Sequence, residues 1–242
     1  MSEREICFRK AVKTIPSTTY ATFALYRYPA KFIPQVIAYV LERYASRGMR
    51  IFDPFAGYGT VGVVSRIYGY DYELWDLNPL LKVIHDVAIL EPKDVDVNRL
   101  LTEMHEFEGE FKPKWSNLNY WFAEEFLPLL YKVWGFYHSM ENDDYRKLIL
   151  TIPLLKVTRY FSYDDMQRMK LSRSPKSEKR VRELLASDWE KKFFEMLEEE
   201  LSKLLEKLRE YWQLNPKSVK GVIKAGVDTL NEKLEDSADI LI

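Results

Sequence analysis

Between residues 49 and 67 a short apolar run ends in Asp53-Pro54, passes through Ala56-Gly57-Tyr58-Gly59-Thr60, and resumes as Val61, Val63, Val64 and Ile67 at helical spacing. Strand, glycine turn and helix in that order constrain this chain more than any other segment, because such a unit needs a parallel neighbour strand and helices over the sheet. Glycines allow the backbone to approach a ligand, and the first N–H groups of the helix face out of the turn, so nucleotide-like molecules sit at this kind of corner. A second strand over residues 70–75 closes at Asp76-Leu77-Asn78-Pro79. Asp76 follows the glycines at close to the spacing, about 20 residues, at which a carboxylate accepts two ribose hydroxyls. A plain tight turn followed by a solvated helix cap is the competing reading.

The rest of the chain is organised around this unit. Ile33, Val36, Ile37, Val40, Leu41 and Tyr44 predict a first helix over 32–44, preceded by the extended Tyr26-Arg27-Tyr28-Pro29-Ala30-Lys31. Leu80, Leu81, Val83, Ile84, Val87 and Leu90 predict another helix after the second strand. Alternation then stops, and residues 100–107, 122–140, 145–161 and 179–212 all read as helical, with a kink or early end expected at Pro128 and at Pro153. Strand character returns over 219–227 and 238–242. The expected fold is α/β: a Rossmann-like sheet, incomplete at the C-terminus, with a large helical insertion. Residues 1–95 would form the first half of the core with the cofactor loop, 96–215 the insertion, and 216–242 the return to the sheet.

Composition narrows the function. Thirty-six Lys+Arg against 37 Asp+Glu give a net charge of -1, which excludes a wholly basic nucleic-acid module. One cysteine, Cys7, and three scattered histidines, His85, His105 and His138, form no ligand cluster, so no metal is expected. The histidines read as ordinary helix residues. A charged N-terminal stretch and the lack of a continuous apolar run of about 18 residues predict a cytoplasmic protein that makes no use of a membrane. Glutamine occurs only at 35, 167 and 213 in a chain that is 30% charged, which leans toward a thermophilic source.

The whole string Asp53-Pro54-Phe55-Ala56-Gly57-Tyr58-Gly59-Thr60 resembles the S-adenosylmethionine loop of the DNA amino methyltransferases, which modify the exocyclic amine of cytosine or adenine. Pro29-Ala30-Lys31-Phe32-Ile33-Pro34 is similar to that family's segment at the methionine end of the cofactor, Asp76-Leu77-Asn78-Pro79 to its ribose turn, and Asp228 to its adenine-contacting acid. The resemblance implies a methyltransferase sheet with S-adenosylmethionine as cofactor and DNA as partner, in a restriction-modification setting. It also implies cofactor roles for Lys31, Asp53, Phe55, Gly57, Gly59, Thr60, Asp76, Asn78 and Asp228. Each has a plainer reading: Asp53 as a strand-end cap, Asp76 as a helix cap, Lys31 as a surface lysine between prolines, Asp228-Thr229 as a turn.

The family's catalytic Pro-Pro-aromatic tetrapeptide has no counterpart, since no Pro-Pro occurs in the 242 residues. No catalytic residue is therefore expected in this chain, and the expectation is a truncated enzyme or one divided with a second polypeptide. Alternatives are an RNA methyltransferase, which shares a similar loop, and a non-catalytic S-adenosylmethionine-binding subunit. Between 168 and 182 the basic residues Arg168, Lys170, Arg173, Lys176, Lys179, Arg180 and Arg182 face Glu178 alone, with Ser172, Ser174 and Ser177 read as loop hydroxyls. Arg168, Lys170, Arg173 and Lys176 are the candidate DNA phosphate contacts, against the alternative of a solvated charged face. Tyr120-Trp121-Phe122 could stack on a base and is read instead as core.

Overall fold

The computed structural model describes residues 6–29, 31–168 and 170–242. They fall into two compact units, Met1–Pro92 with Glu206–Ile242, and Lys93–Leu205.

The first unit is α/β. In chain order it contains α1 (Phe8–Ala11), a 3-10 turn (Ala21–Ala24), α2 (Pro34–Tyr44), β1 (Arg50–Asp53), α3 (Thr60–Tyr68), β2 (Asp71–Asp76) and α4 (Leu80–Ala88). After the second unit come β3 (Gly221–Ala225) and β4 (Ile240–Leu241). All pairings are parallel and the strand order is β3-β2-β1-β4, compatible with a Rossmann-like sheet. The order reverses between β1 and β4, the kind of place where an open parallel sheet leaves a crevice beyond its carboxyl edge.

Packing of α3 on the sheet follows from one small residue. A β-carbon on Gly62 would lie 2.7 Å from His85 Nε2 and 2.7 Å from Tyr72 Cε2, so the absent side chain lets α3 seat closely on β2 and α4. Val61, Val63 and Val64 around it are fully buried. The end of the last long helix belongs here as well: the Tyr211 hydroxyl donates to the Val63 carbonyl at 3.1 Å, and Trp212 Nε1 to the Leu90 carbonyl at 2.7 Å. On the other sheet face a buried Glu73 pairs with Arg50 and accepts from Trp75 Nε1, so its charge is compensated where it sits.

The second unit is helical: α5 (Val97–Glu106), α6 (Leu118–Trp121), α7 (Leu127–Ser139), α8 (Tyr145–Tyr160), α9 (Pro175–Leu185) and α10 (Trp189–Gln213), whose last turns lie in the first unit. Phe126 stacks edge-on against Phe161 and Trp189 at 5.2 and 5.0 Å between ring centroids, which organises its core.

Several expectations are corrected. The helix read over 122–140 starts at Leu127, after a 3-10 turn (Glu124–Phe126); Pro128 sits in its first turn, where a missing N–H costs nothing. Pro153 does not end α8, because Ile149, Leu150, Ile152 and Leu154 around it are all buried and tertiary packing holds the turn. The stretch read as one helix over 179–212 is two, parted near Ser187, whose hydroxyl donates to the Leu184 carbonyl at 2.7 Å. Ser174 and Ser177 are not loop hydroxyls: buried, they form a reciprocal capping box that starts α9. Tyr120-Trp121-Phe122 is not core, since no residue of α6 is buried and Tyr120 is 54% exposed.

Gly62→Ala should destabilise the protein by about 1–2 kcal/mol, because crowding of the helix–sheet contact outweighs the better helix propensity of alanine. Urea unfolding of variant and wild type checks this.

Candidate functional site

The carboxyl ends of β1 and β2 carry the site. β1 delivers Asp53, 1% exposed, to the foot of the glycine turn. Its Oδ1 accepts from the Phe55 N–H at 3.0 Å, while Oδ2 is buried and has no hydrogen-bond partner among the described residues. Burial pushes the Asp53 carboxyl up to about 6; the Phe55 N–H opposes this and the negative charge of Asp76 adds to it.

The turn is then laced to the end of β2. Ala56 N–H donates to the Trp75 carbonyl at 2.9 Å, and Gly57 N–H to Asp76 Oδ2 at 2.7 Å. Gly57 and Gly59 take φ of 55° and 85°, left-handed values that favour glycine, and a β-carbon on Gly57 would press on the Tyr28 ring at 3.1 Å. Asp76 Oδ1 accepts from the Asn78 N–H at 2.7 Å. A carboxylate offers about four lone-pair positions, so the two backbone donors leave capacity for a ligand's hydroxyls. Asn78 Oδ1 in turn accepts from the Leu80 N–H at 3.0 Å. Phe55 and Leu77, each 72% exposed, are apolar side chains on these two loops.

Beneath the turn the groups are buried. Tyr58, between the glycines, points inward; its hydroxyl donates to the Thr22 carbonyl at 2.6 Å and accepts from the Leu25 N–H at 2.9 Å. Burial raises its phenol well above the ordinary range. Thr60, the first residue of α3, is buried with its Oγ1 unpartnered. His85 is fully buried, with neither ring nitrogen hydrogen-bonded among the described residues, and is packed where β-carbons on Gly59 and Gly62 would go. Burial, reinforced by Arg66 and Lys82, pushes it down to about 3, so it is a neutral ring at pH 7.

Lys31 meets the site at Tyr58. Its Nζ lies 5.0 Å from the Tyr58 ring centroid and donates to the Phe23 carbonyl, and burial lowers its pKa. Ala30, within the same motif, lies outside the described residues. The Asp228 carboxylate accepts from Leu230 N–H and Asn231 Nδ2 at 3.1 and 2.8 Å, which builds its own turn, and the Thr229 hydroxyl holds that turn to the Pro54 carbonyl at 2.8 Å. Asp53, Phe55, Gly57, Gly59, Thr60, Asp76 and Asn78 thus share one sheet end with the Asp228 turn.

The basic residues lie in the helical unit, and some are already engaged. Arg173 donates to the Tyr120 carbonyl at 2.8 Å, sits 4.1 Å from the Tyr163 ring centroid and pairs with Glu178 at 3.3 Å. Arg180 donates to the carbonyls of Tyr160, Ser162 and Asp164. Arg168 lies 3.5 Å from Asp165, and Lys176 donates to Gln167 Oε1 at 3.1 Å. Arg168, Lys170 and Lys176 are exposed.

Sequence reasoning passed over Tyr28, Tyr58, Leu77 and Thr229 as site residues. Tyr58 occupies an unspecified position between two glycines, so no local pattern singled it out; Thr229 was visible only as the neighbour of Asp228. No protein-family model matches the chain, and neither a curated protein nor a solved structure matches it significantly.

The raised Asp53 carboxyl has a thermodynamic consequence. A folded-state pKa above the unfolded value means that the native state binds more protons between about pH 4 and 6, so this group's contribution falls as pH rises through that window, by on the order of 3 kcal/mol. His85 acts in the opposite sense, its depressed pKa removing stability as pH falls below the ordinary histidine range. The difference between wild type and Asp53→Asn isolates the carboxyl: the variant should gain on wild type from pH 4 to 7 in denaturant titrations.

Proposed function

We propose that this chain binds S-adenosylmethionine at the glycine turn and serves as the cofactor-holding part of a DNA amino methyltransferase. One observation carries the reading: the Asp76 carboxylate, at the end of β2, is bound to the N–H of Gly57 and keeps acceptor capacity beside a left-handed glycine turn. The site offers what a nucleoside sulfonium needs. Asp76 would take the ribose hydroxyls, Leu77 and Phe55 would lie along the base, and the anionic form of Asp53, with its unpartnered Oδ2, would draw the positive end of the cofactor. The likeness of residues 53–60 to the methyltransferase loop favours this cofactor over a redox dinucleotide.

When bound, the cofactor supplies an electrophilic methyl group. This chain's residues hold the donor, and nothing in the 242 residues matches the Pro-Pro-aromatic element that in the resembled family orients the acceptor amine. Lys170, Arg168 and Lys176 are exposed cations that would meet backbone phosphates, while Arg173 is already engaged with the Tyr120 carbonyl and Glu178.

Calorimetry tests the cofactor. S-adenosylmethionine or its demethylated product should bind with one-to-one stoichiometry, and Asp76→Asn, which keeps the side-chain shape, should weaken it at least tenfold. Equal affinities would remove the ribose assignment, and preferential binding of NADH would remove the methyltransferase reading. The polypeptide alone should transfer no tritiated methyl group to DNA, and transfer by it would overturn the assignment of a donor-holding role.

A further inference from the structure

In the helical unit, the irregular segment 107–117 runs across α7 as a strap. It is pinned there by two features. The Phe111 N–H donates to the Tyr131 carbonyl at 2.9 Å, and Gly135 makes room for the strap's backbone, since a β-carbon there would fall 2.8 Å from Glu110 Cα. The strap, Leu118 of α6 with Phe122, one side of α7 and Thr158 of α8 leave between them a cavity of about 290 Å³. The space opens to solvent past Phe111 and Trp115, so it is a surface pocket with a mostly apolar lining, the usual character of small-molecule sites. Here Gly135 and the Phe111 hydrogen bond hold the strap in place, so the cavity is a product of the packing.

Its walls define what it can take. Trp115, Phe122, Tyr131 and Trp134 line it with Leu127 and Leu130, and no lysine, arginine, aspartate or glutamate is among the lining residues. Phe111 and Trp115, 38% and 43% exposed, stand at the mouth, so a ligand has an entry path. Phe111 and His138 face each other there at 4.0 Å between ring centroids. The cavity's polar handle is Thr158, whose Oγ1 accepts from Trp134 Nε1 at 3.1 Å and keeps its own proton to donate. Lys112, on the strap, is paired to Glu110 at 2.7 Å.

We propose that this cavity is a binding site for a planar, uncharged aromatic molecule of two fused rings carrying one hydrogen-bond acceptor. Size sets the ring count: an apolar cavity of about 150 Å³ takes one benzene ring, and this one is nearly twice that at about 290 Å³. Flat aromatic walls favour a flat aromatic occupant through offset and edge-on ring contacts. The lining offers few polar partners, Thr158 Oγ1 with the Tyr131 hydroxyl and the His138 ring, which favours an occupant with one polar atom and disfavours a nucleobase, whose several donors and acceptors would be left without partners. The inference is independent of the cofactor reading, which concerns the other unit.

Titration calorimetry with 2-naphthol, a neutral bicyclic with a single hydroxyl, tests it on the full chain, with adenine as the comparison. Saturable one-to-one binding of 2-naphthol is expected, with adenine at least tenfold weaker. Leu130→Trp, which fills the cavity, should abolish binding, and Thr158→Val should weaken it about threefold. Should Leu130→Trp fail to fold, Trp115→Ala at the exposed mouth replaces it, with at least a fivefold loss expected. Absence of saturable binding, equal affinity for adenine, or affinity unchanged in both Thr158→Val and the cavity variant would each overturn the proposal. S-adenosylmethionine binding measured on the same samples reports on the other unit, so the two readings fail separately.

Discussion

Everything at the sheet's carboxyl edge depends on where the Asp76 carboxylate spends its oxygens. One holds the N–H of Gly57 and the other the N–H of Asn78, so a single side chain at the end of β2 fixes the loop after β1 and the start of the turn into α4. Charge-assisted bonds of this sort are roughly twice as strong as neutral ones. They are made to backbone groups of the two loops. Gly57 and Gly59 supply the left-handed conformations that the shape requires, and Tyr58 supplies its anchor below.

That anchor links the loop to a distant part of the chain. Through Tyr58 the glycine turn grips Thr22 and Leu25 near the 3-10 turn, and Lys31 adds a bond to Phe23. Above this buried layer sit the half-exposed Asp76 and the exposed Phe55 and Leu77, a polar acceptor beside apolar surface. The helical unit follows a different economy. There Asp164, 1% exposed, receives Arg159 and the Ser172 N–H, while Arg180 draws together three carbonyls, so charges in a basic segment are spent on shaping a loop and only the outer ones remain for solvent or a polyanion.

What was legible in the sequence was local. Glycine at positive φ, proline at a helix start and an acid closing a strand are rules that act within a few residues, and β1, α3, β2 and the Asp76 turn follow them. What escaped was set by contacts remote in sequence. The return of residues 216–242 to the sheet was expected, but not that β2 is the neighbour of β3, and Tyr58 acquires its role from a carbonyl 36 positions earlier. The early end allowed for at Pro153 does not occur for the same reason, since burial around α8 outweighs the lost hydrogen bond. Ser174 and Ser177 were misread because composition counts hydroxyls, whereas the capping box depends on their three-residue spacing beside Pro175.

The central claim is that the Asp76-bound glycine turn is a nucleoside site, and amide resonances read it directly. On titrating S-adenosylmethionine into the nitrogen-15-labelled chain, the largest saturable shifts should fall on Gly57, Leu77 and Asn78, whose N–H groups lie at the Asp76 carboxylate or beside it, while Phe111 and Gly135 in the helical unit stay unmoved. Saturable shifts that leave Gly57, Leu77 and Asn78 in place, or no saturable shifts anywhere, would contradict it.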